Sequence, residues 1–276
     1  MTFTAKSDIL IAKFDTSGAE LISLRDYNDT EYIWQANPAV WARHAPILFP
    51  FICNTKSGSY TVGGKQYALK NHGFARDREW EMLRAKEDSL TFLLRSDNET
   101  KKLYPFDFEL TATYTIRADT LINRITVTNT GDENMPFFLG GHPAFAVPLT
   151  SAGKYTDWFV TYGGAENRRL DLSHEAFEND VILRENPEEG LITLQSTTSD
   201  ARIKLTFDKN GAIAVWSSYF KDDPAKTDNA KFVCLEPWTA PPVYTEDTEE
   251  LLDMKQTVKL APGKSYEFAF NITIEC

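Results

Sequence analysis

The chain has 276 residues, of which 42% are hydrophobic and 13% aromatic, and a formal net charge of −11. That hydrophobic share fills a sizeable core. The acidic balance, with no long Lys/Arg run, argues against nucleic acid and anionic membranes as partners. Cys53, Cys234 and Cys276 are too few and too widely spaced for a disulfide framework or a zinc pattern, so reduced thiols are expected. The N-terminal MTFTAKSDIL does not read as a signal peptide, and no stretch reaches the roughly 20 apolar residues of a membrane helix. A cytoplasmic location is the expectation, with no membrane partner.

Short alternating runs begin at once. Ile9 to Phe14, Ala19 to Leu24 and Glu31 to Trp34 read as a meander of strands. Pro38 to Arg43 is a short helix candidate. Tyr60 to Val62 and Gln66 to Leu69 flank GGK as a hairpin. Trp80 to Arg84 pairs naturally with Ser89 to Leu94. Phe108 to Ile116 and Leu121 to Val127 alternate strongly across ADT. Further strands are expected at Trp158 to Tyr162, Leu191 to Gln195, Arg202 to Phe207, Ile213 to Ser217, Phe232 to Leu235 and Tyr266 to Ile274. His174 to Phe177 and Glu249 to Met254 are the other short helix candidates. The expected fold is all-β, a large antiparallel β-sandwich with a few short helices, with residues 1–276 as one domain.

Four stretches carry candidate chemistry. In FFLGGHPAFAVPL, His142 is the one ionisable group of an apolar run. Gly140 and Gly141 permit close approach, and Pro143 biases His142 to extended backbone. Such a ring is either an acid or base near neutral pH or a hydrogen-bonded core histidine. In NHGFARDREW, His72 can donate to a ligand, and the planar fork of Arg76 suits hydroxyl, carboxylate or phosphate oxygens. The alternative is a surface loop whose charges pair among themselves. In FVCLEPWTAPP, Glu236 ends an apolar strand beside Trp238, either as a general base or as a strand-end carboxylate. In WARHAPILFPFICNTK, Arg43 and His44 precede an apolar run and Asn54 and Lys56 follow it, as polar ligand contacts or solvated groups. The four histidines stand singly at 44, 72, 142 and 174, so no metal-ligand spacing is present and no metal is expected. Phosphate-loop, nucleophile-elbow and dinucleotide motifs are absent as well.

The ordered set WARHAPILFPF, NHGFARDREW, GGHPAF and CLEPW resembles the aldose 1-epimerase (galactose mutarotase) superfamily, most closely its LacX-like and hexose-6-phosphate-epimerase-like subgroup. The resemblance covers nearly the whole chain. It implies a galactose mutarotase-like supersandwich with an open sugar cleft and an isomerase needing no cofactor. It further implies His142 as general acid, Glu236 as general base, and His72 and Arg76 as sugar contacts; Arg43, Asn54 and Trp238, from their own positions, complete the expected substrate-binding set. The implied reaction interconverts the α and β anomers of a hexose by acid/base ring opening. The alternatives are the same reaction on a hexose 6-phosphate, with Arg43, Arg76 and Arg78 as phosphate-binding cations, and a non-catalytic carbohydrate-binding protein. The partner expected is a small-molecule sugar or sugar phosphate, and the protein itself a monomer or homodimer. Two departures stand out. Cys53 and Asn54 occupy positions where relatives often carry glycine and arginine, and Ala144 replaces an aromatic residue, a change expected to widen the cleft.

Overall fold

The computed structural model describes residues 1–150, 153–163, 168–187, 189–209, 211–244 and 246–275. Two large sheets dominate. One has nine strands in the spatial order Arg169–Asp171, Trp158–Tyr162, Leu191–Ser196, Arg202–Phe207, Ser265–Glu275, Thr120–Asn129, Phe108–Arg117, Ser89–Arg95 and Glu81–Ala85. The other runs Ile182–Glu185, Ala212–Trp216, Phe232–Trp238, Gly140–Gly141 and Ile47–Leu48, with Ala144–Ala146 also paired to Phe232–Trp238. Thr2–Lys6, Leu10–Asp15 and Glu20–Asp26 form a smaller three-stranded sheet. Every strand pairing in these sheets is antiparallel, as expected for an all-β sandwich.

Alternation explains the long strands. In Phe108–Arg117 and Ser265–Glu275, Leu110, Ala112, Tyr114, Phe268, Phe270 and Ile272 are buried while the residues between them are not. A period of two puts one face of each strand into the core. The two large sheets meet there: a Cβ on Gly141 would lie 2.7 Å from the ring of Phe270, so this contact of sheet on sheet needs glycine.

Some expectations change. Glu31 to Trp34 makes only isolated bridges, Arg25↔Glu31 and Ile33↔Phe145. The Glu31 carboxylate itself accepts the backbone N–H groups of Leu24 and Ile33, displacing a regular ladder. Pro38 to Arg43 is not a helix: residues 38–40 form a turn and 41–43 are irregular. Asn37 gathers the N–H groups of Ala39, Val40 and Trp41, and the Trp41 carbonyl is taken by Trp34 Nε1 at 2.9 Å. A short helix over Asn98–Leu103 is added, capped reciprocally by Asp97 and Thr100. Glu236 does not end its strand: Phe232–Trp238 continues through Pro237, which pairs with Ile213. Cys53 and Cys234 are free thiols, and Cys276 lies outside the described residues. Among the described residues no helix is long and apolar enough to cross a membrane.

Candidate active site

The register of one strand pair builds the centre. Across Phe232–Trp238, Gly140 lies opposite Trp238 and Ala144 opposite Cys234. Continuing that register sets His142 opposite Glu236, where facing residues share one side of a sheet. The His142 N–H donates to the Pro46 carbonyl at 3.1 Å, tying the stretch to the WARHAPILFPF segment. His142 Nε2 lies 3.1 Å from Glu236 Oε2. This approach is not aligned as a hydrogen bond, and Glu236 Oε2 and His142 Nδ1 are both buried without a hydrogen-bond partner. Gly140 is required by close approach, since a Cβ there would stand 2.7 Å from Trp238 Cδ1.

Three aromatic neighbours fix the His142 ring. Trp41 stacks on it with centroids 5.0 Å apart and planes at 22°. Trp216 meets it edge-on at 5.9 Å, and the His72 ring stands nearly perpendicular at 5.3 Å. His72 and Gly73 both have positive φ, at 63° and 72°. Gly73 cannot carry a side chain, because its Cβ would fall 2.2 Å from the Phe49 carbonyl oxygen. This tight passage delivers His72 to the cleft. His72 Nδ1 accepts the Cys53 N–H at 3.0 Å, which leaves the proton on Nε2 as a free donor. Burial, with the charges of Arg76 and Arg43 added, pushes His72 down to about 3, so the ring stays neutral.

The cations are unequal. Arg43 donates to the Arg76 carbonyl at 3.0 Å and pairs with Asp77. Arg76 spends one terminal nitrogen on the Asn71 carbonyl at 2.7 Å, while its Nε is buried without a hydrogen-bond partner. The loop carrying Arg43 is anchored from behind, where Glu20 accepts the N–H groups of His44 and Ala45 at 2.6 and 2.9 Å. Arg43, Asn54, His72, Arg76, Asp180 and Trp238 line an open cavity of about 530 Å³ with His142 and Glu236 in its wall. That size is ordinary for a small-molecule site.

Electrostatics departs from expectation at the central pair. Burial pushes the Glu236 carboxyl well up and His142 well down, and the nearby His72 and Arg76 lower His142 further. The general-acid and general-base roles that the resemblance implies call for a charged His142 beside an ionised Glu236. The nearly complete burial of both groups favours the neutral forms instead, with the proton on the carboxyl. At this separation the two groups titrate as a coupled pair.

Comparison with known proteins agrees with this architecture. The aldose 1-epimerase family description matches residues 1–273. The chain belongs to the aldose 1-epimerase family. Protein LacX, plasmid-encoded, from Lactococcus lactis subsp. lactis is 29% identical over 306 aligned residues, covering 99% of each chain. A galactose mutarotase related enzyme from Lactobacillus acidophilus superposes with a TM-score of 0.91 at 29% identity, covering 100% of this chain and 98% of that one. A galactose mutarotase-like protein from Lactobacillus casei gives 0.89 at 29% identity, with all of both chains covered.

Within this family fold the seven residues singled out from sequence, His142, Glu236, His72, Arg76, Arg43, Asn54 and Trp238, all line the one cleft. Other candidates do not. Arg78 lies over the Phe74 ring and is not among the cleft residues, which removes one of the three cations considered for phosphate. Lys56 reaches the Asp247 carbonyl instead, at 3.5 Å. His44 stands 3.8 Å from Glu20 behind the cleft loop. Ala144 does not widen the cleft: fully buried, it packs with Trp34, Phe232 and Cys234. Cys53 holds the positive φ of 56° that favours glycine, and burial raises its thiol to about 12. Sequence reasoning missed Trp216 and Asp180, because a tryptophan in an apolar strand and an aspartate in a turn carry no local signal. A further arrangement is not visible as spacing: among the described residues, His142, Cys234 and Glu236 bring potential metal-ligating atoms within 4.8 Å of one another.

Proposed function

We propose that this protein is an aldose 1-epimerase that interconverts the anomers of a neutral hexose. The observation that carries the reading is the shared register of His142 and Glu236, which holds an acid and a base 3.1 Å apart in the wall of an open cleft. Mutarotation acts on two oxygens attached to one carbon, the anomeric hydroxyl and the ring oxygen, so its acid and base belong close together.

The proton on the pair passes from Glu236 to His142, helped by sugar hydroxyls that hydrogen-bond the emerging carboxylate. Glu236 then takes the proton of the anomeric hydroxyl while His142 protonates the ring oxygen. The C1–ring oxygen bond breaks to give the aldehyde. Rotation about C1–C2 presents the other carbonyl face, and closure reverses both proton transfers. His72 Nε2–H and Arg76 Nε–H are donors for sugar oxygens, and Trp41 offers an apolar face. A neutral sugar fits better than a phosphorylated one. Arg43 is already paired with Asp77 and Asp180 shares the cleft, so among the described residues lining the cleft Arg76 has no second unpaired cation beside it to hold a phosphate dianion.

The test is polarimetry on freshly dissolved α-glucose, α-galactose and glucose 6-phosphate, with Glu236→Gln and His142→Asn as controls. The wild type is expected to speed mutarotation of a neutral sugar. Each variant should lose about 10²–10⁴-fold, the usual contribution of one positioned acid or base. A near-wild-type rate in either folded variant refutes its role, and binding without rate enhancement would make the protein a carbohydrate-binding module.

A further inference from the structure

Cys234 has no part in the mechanism above, yet it stands directly behind it. Two residues before Glu236 on the same strand, it points to the same side of the sheet. Its backbone is held between Ala144 on one side and Trp216 on the other. The thiol is completely buried and free. Its sulfur, an imidazole nitrogen of His142 and a carboxylate oxygen of Glu236 all lie within 4.8 Å of one another. His142 Nδ1 and Glu236 Oε2, at 5% and 2% residue exposure, have no hydrogen-bond partner. Two independent observations therefore coincide, a three-donor cluster and, within it, the unsatisfied buried Glu236 oxygen.

We infer that His142, Cys234 and Glu236 form an inhibitory site for a borderline-soft divalent cation, zinc being the type. Sulfur, nitrogen and oxygen donors in one set suit zinc and its soft neighbours and not magnesium or calcium. Bonds of about 2.0–2.3 Å to a common ion place ligand atoms roughly 3–4 Å apart. The 3.1 Å between His142 and Glu236 already matches that spacing. The Cys234 sulfur, within 4.8 Å of both other donor atoms, closes the tripod by a small turn about its side-chain bond. The fourth position faces the cleft, which His142 and Glu236 line and Cys234 does not.

Charge also favours the complex. On binding, the Cys234 thiol and the Glu236 carboxyl each release a proton to solvent, and His142 stays neutral. One dication with two anions gives a buried set of zero net charge, the arrangement that limits desolvation cost. The bound cation ties up the two groups that exchange protons with the sugar. Catalysis stops while the fold is kept, and a chelator restores it.

This inference rests on the acid/base reading only for its effect on rate, so the experiment has two readouts on the full chain. Cobalt(II) titration reports sulfur ligation by a thiolate-to-metal absorption band. Polarimetry with added zinc and then chelator reports inhibition. The wild type should show the band and lose activity at least about tenfold with zinc, reversibly. Cys234→Ser keeps the volume and Cys234→Ala removes the polar atom. Both should keep a basal rate within about threefold, lose the band and resist the same zinc concentration by about tenfold or more. Cys53 and Cys276 remain in both variants, so a lost band belongs to Cys234. No band in the wild type, an unchanged band in the variants, or equal zinc sensitivity overturns the inference. A band without any mutarotase activity would keep the metal site and sink the proposed function, and a band with full activity in zinc would sink inhibition.

Discussion

Lowering the pH from about 7 to about 5 should destabilise this protein through His72, by an amount the structure fixes. The ring is held at about 3 by burial and by Arg76 and Arg43, against an ordinary 6.5. The folded state therefore excludes a proton that the unfolded chain accepts. The associated stability is complete above about pH 6.5 and falls as the pH drops through the unfolded value toward about 3. Each pH unit in that window is worth about 1.4 kcal/mol, so the drop from about pH 7 to about pH 5 removes roughly 2 kcal/mol. His72→Asn deletes the titrating group, and asparagine tolerates the positive φ of 63° at this position. It also removes a neighbour that lowers His142, so His142 contributes less to acid sensitivity in the same variant. Urea unfolding of both proteins at the two pH values gives the answer. The wild type should lose about 2 kcal/mol more than the variant over this interval. Equal losses would show that His72 is not held neutral by its surroundings and would remove the argument for Nε2–H as a fixed donor.

Two further outcomes follow from the cleft and its scaffold. Arg76→Ala should raise KM for the sugar about tenfold or more with a smaller change in kcat, since its unpartnered Nε is proposed as a binding donor and not as a proton carrier; steady-state polarimetry checks this, and an unchanged KM rejects the role. Gly73→Ala should destabilise by about 3 kcal/mol or more, because a Cβ 2.2 Å from the Phe49 carbonyl oxygen must displace backbone and the residue also sits at positive φ. Thermal melting reads that change, and a wild-type Tm would mean that the NHG passage is not the constraint described.

Where the sequence was legible, one physical pattern dominated. Phe108–Arg117, Thr120–Asn129 and Ser265–Glu275 show period-two burial along their whole length, and their runs were visible for that reason. Glu31 to Trp34 has the same look, but a side chain that bonds its own neighbourhood's N–H groups overrides it. The seven cleft residues came from four motifs in order, each of which keeps a polar group inside an apolar or glycine-containing run. The protonation of the pair was not legible. His142 and Glu236 lie 94 positions apart, a count set by their numbers in the chain, and their mutual burial depends on strand register that no local window contains. Trp216, Asp180 and the Cys234 contact were hidden for the same reason.

The origin of the cleft groups separates two kinds of change. Glu236 sits within Phe232–Trp238, and His142 in the two-residue step between Gly140–Gly141 and Ala144–Ala146, both of which pair with that strand. Arg43, Asn54, His72 and Asp180 come from connecting segments outside the strands, and Arg76 from a single short turn of helix. On the proposed function, drift in those segments would alter which sugar is held without moving the proposed proton-exchanging pair. A library confined to the loops would therefore sample new preferences on an unchanged reaction, whereas substitutions in the strands would sample folding.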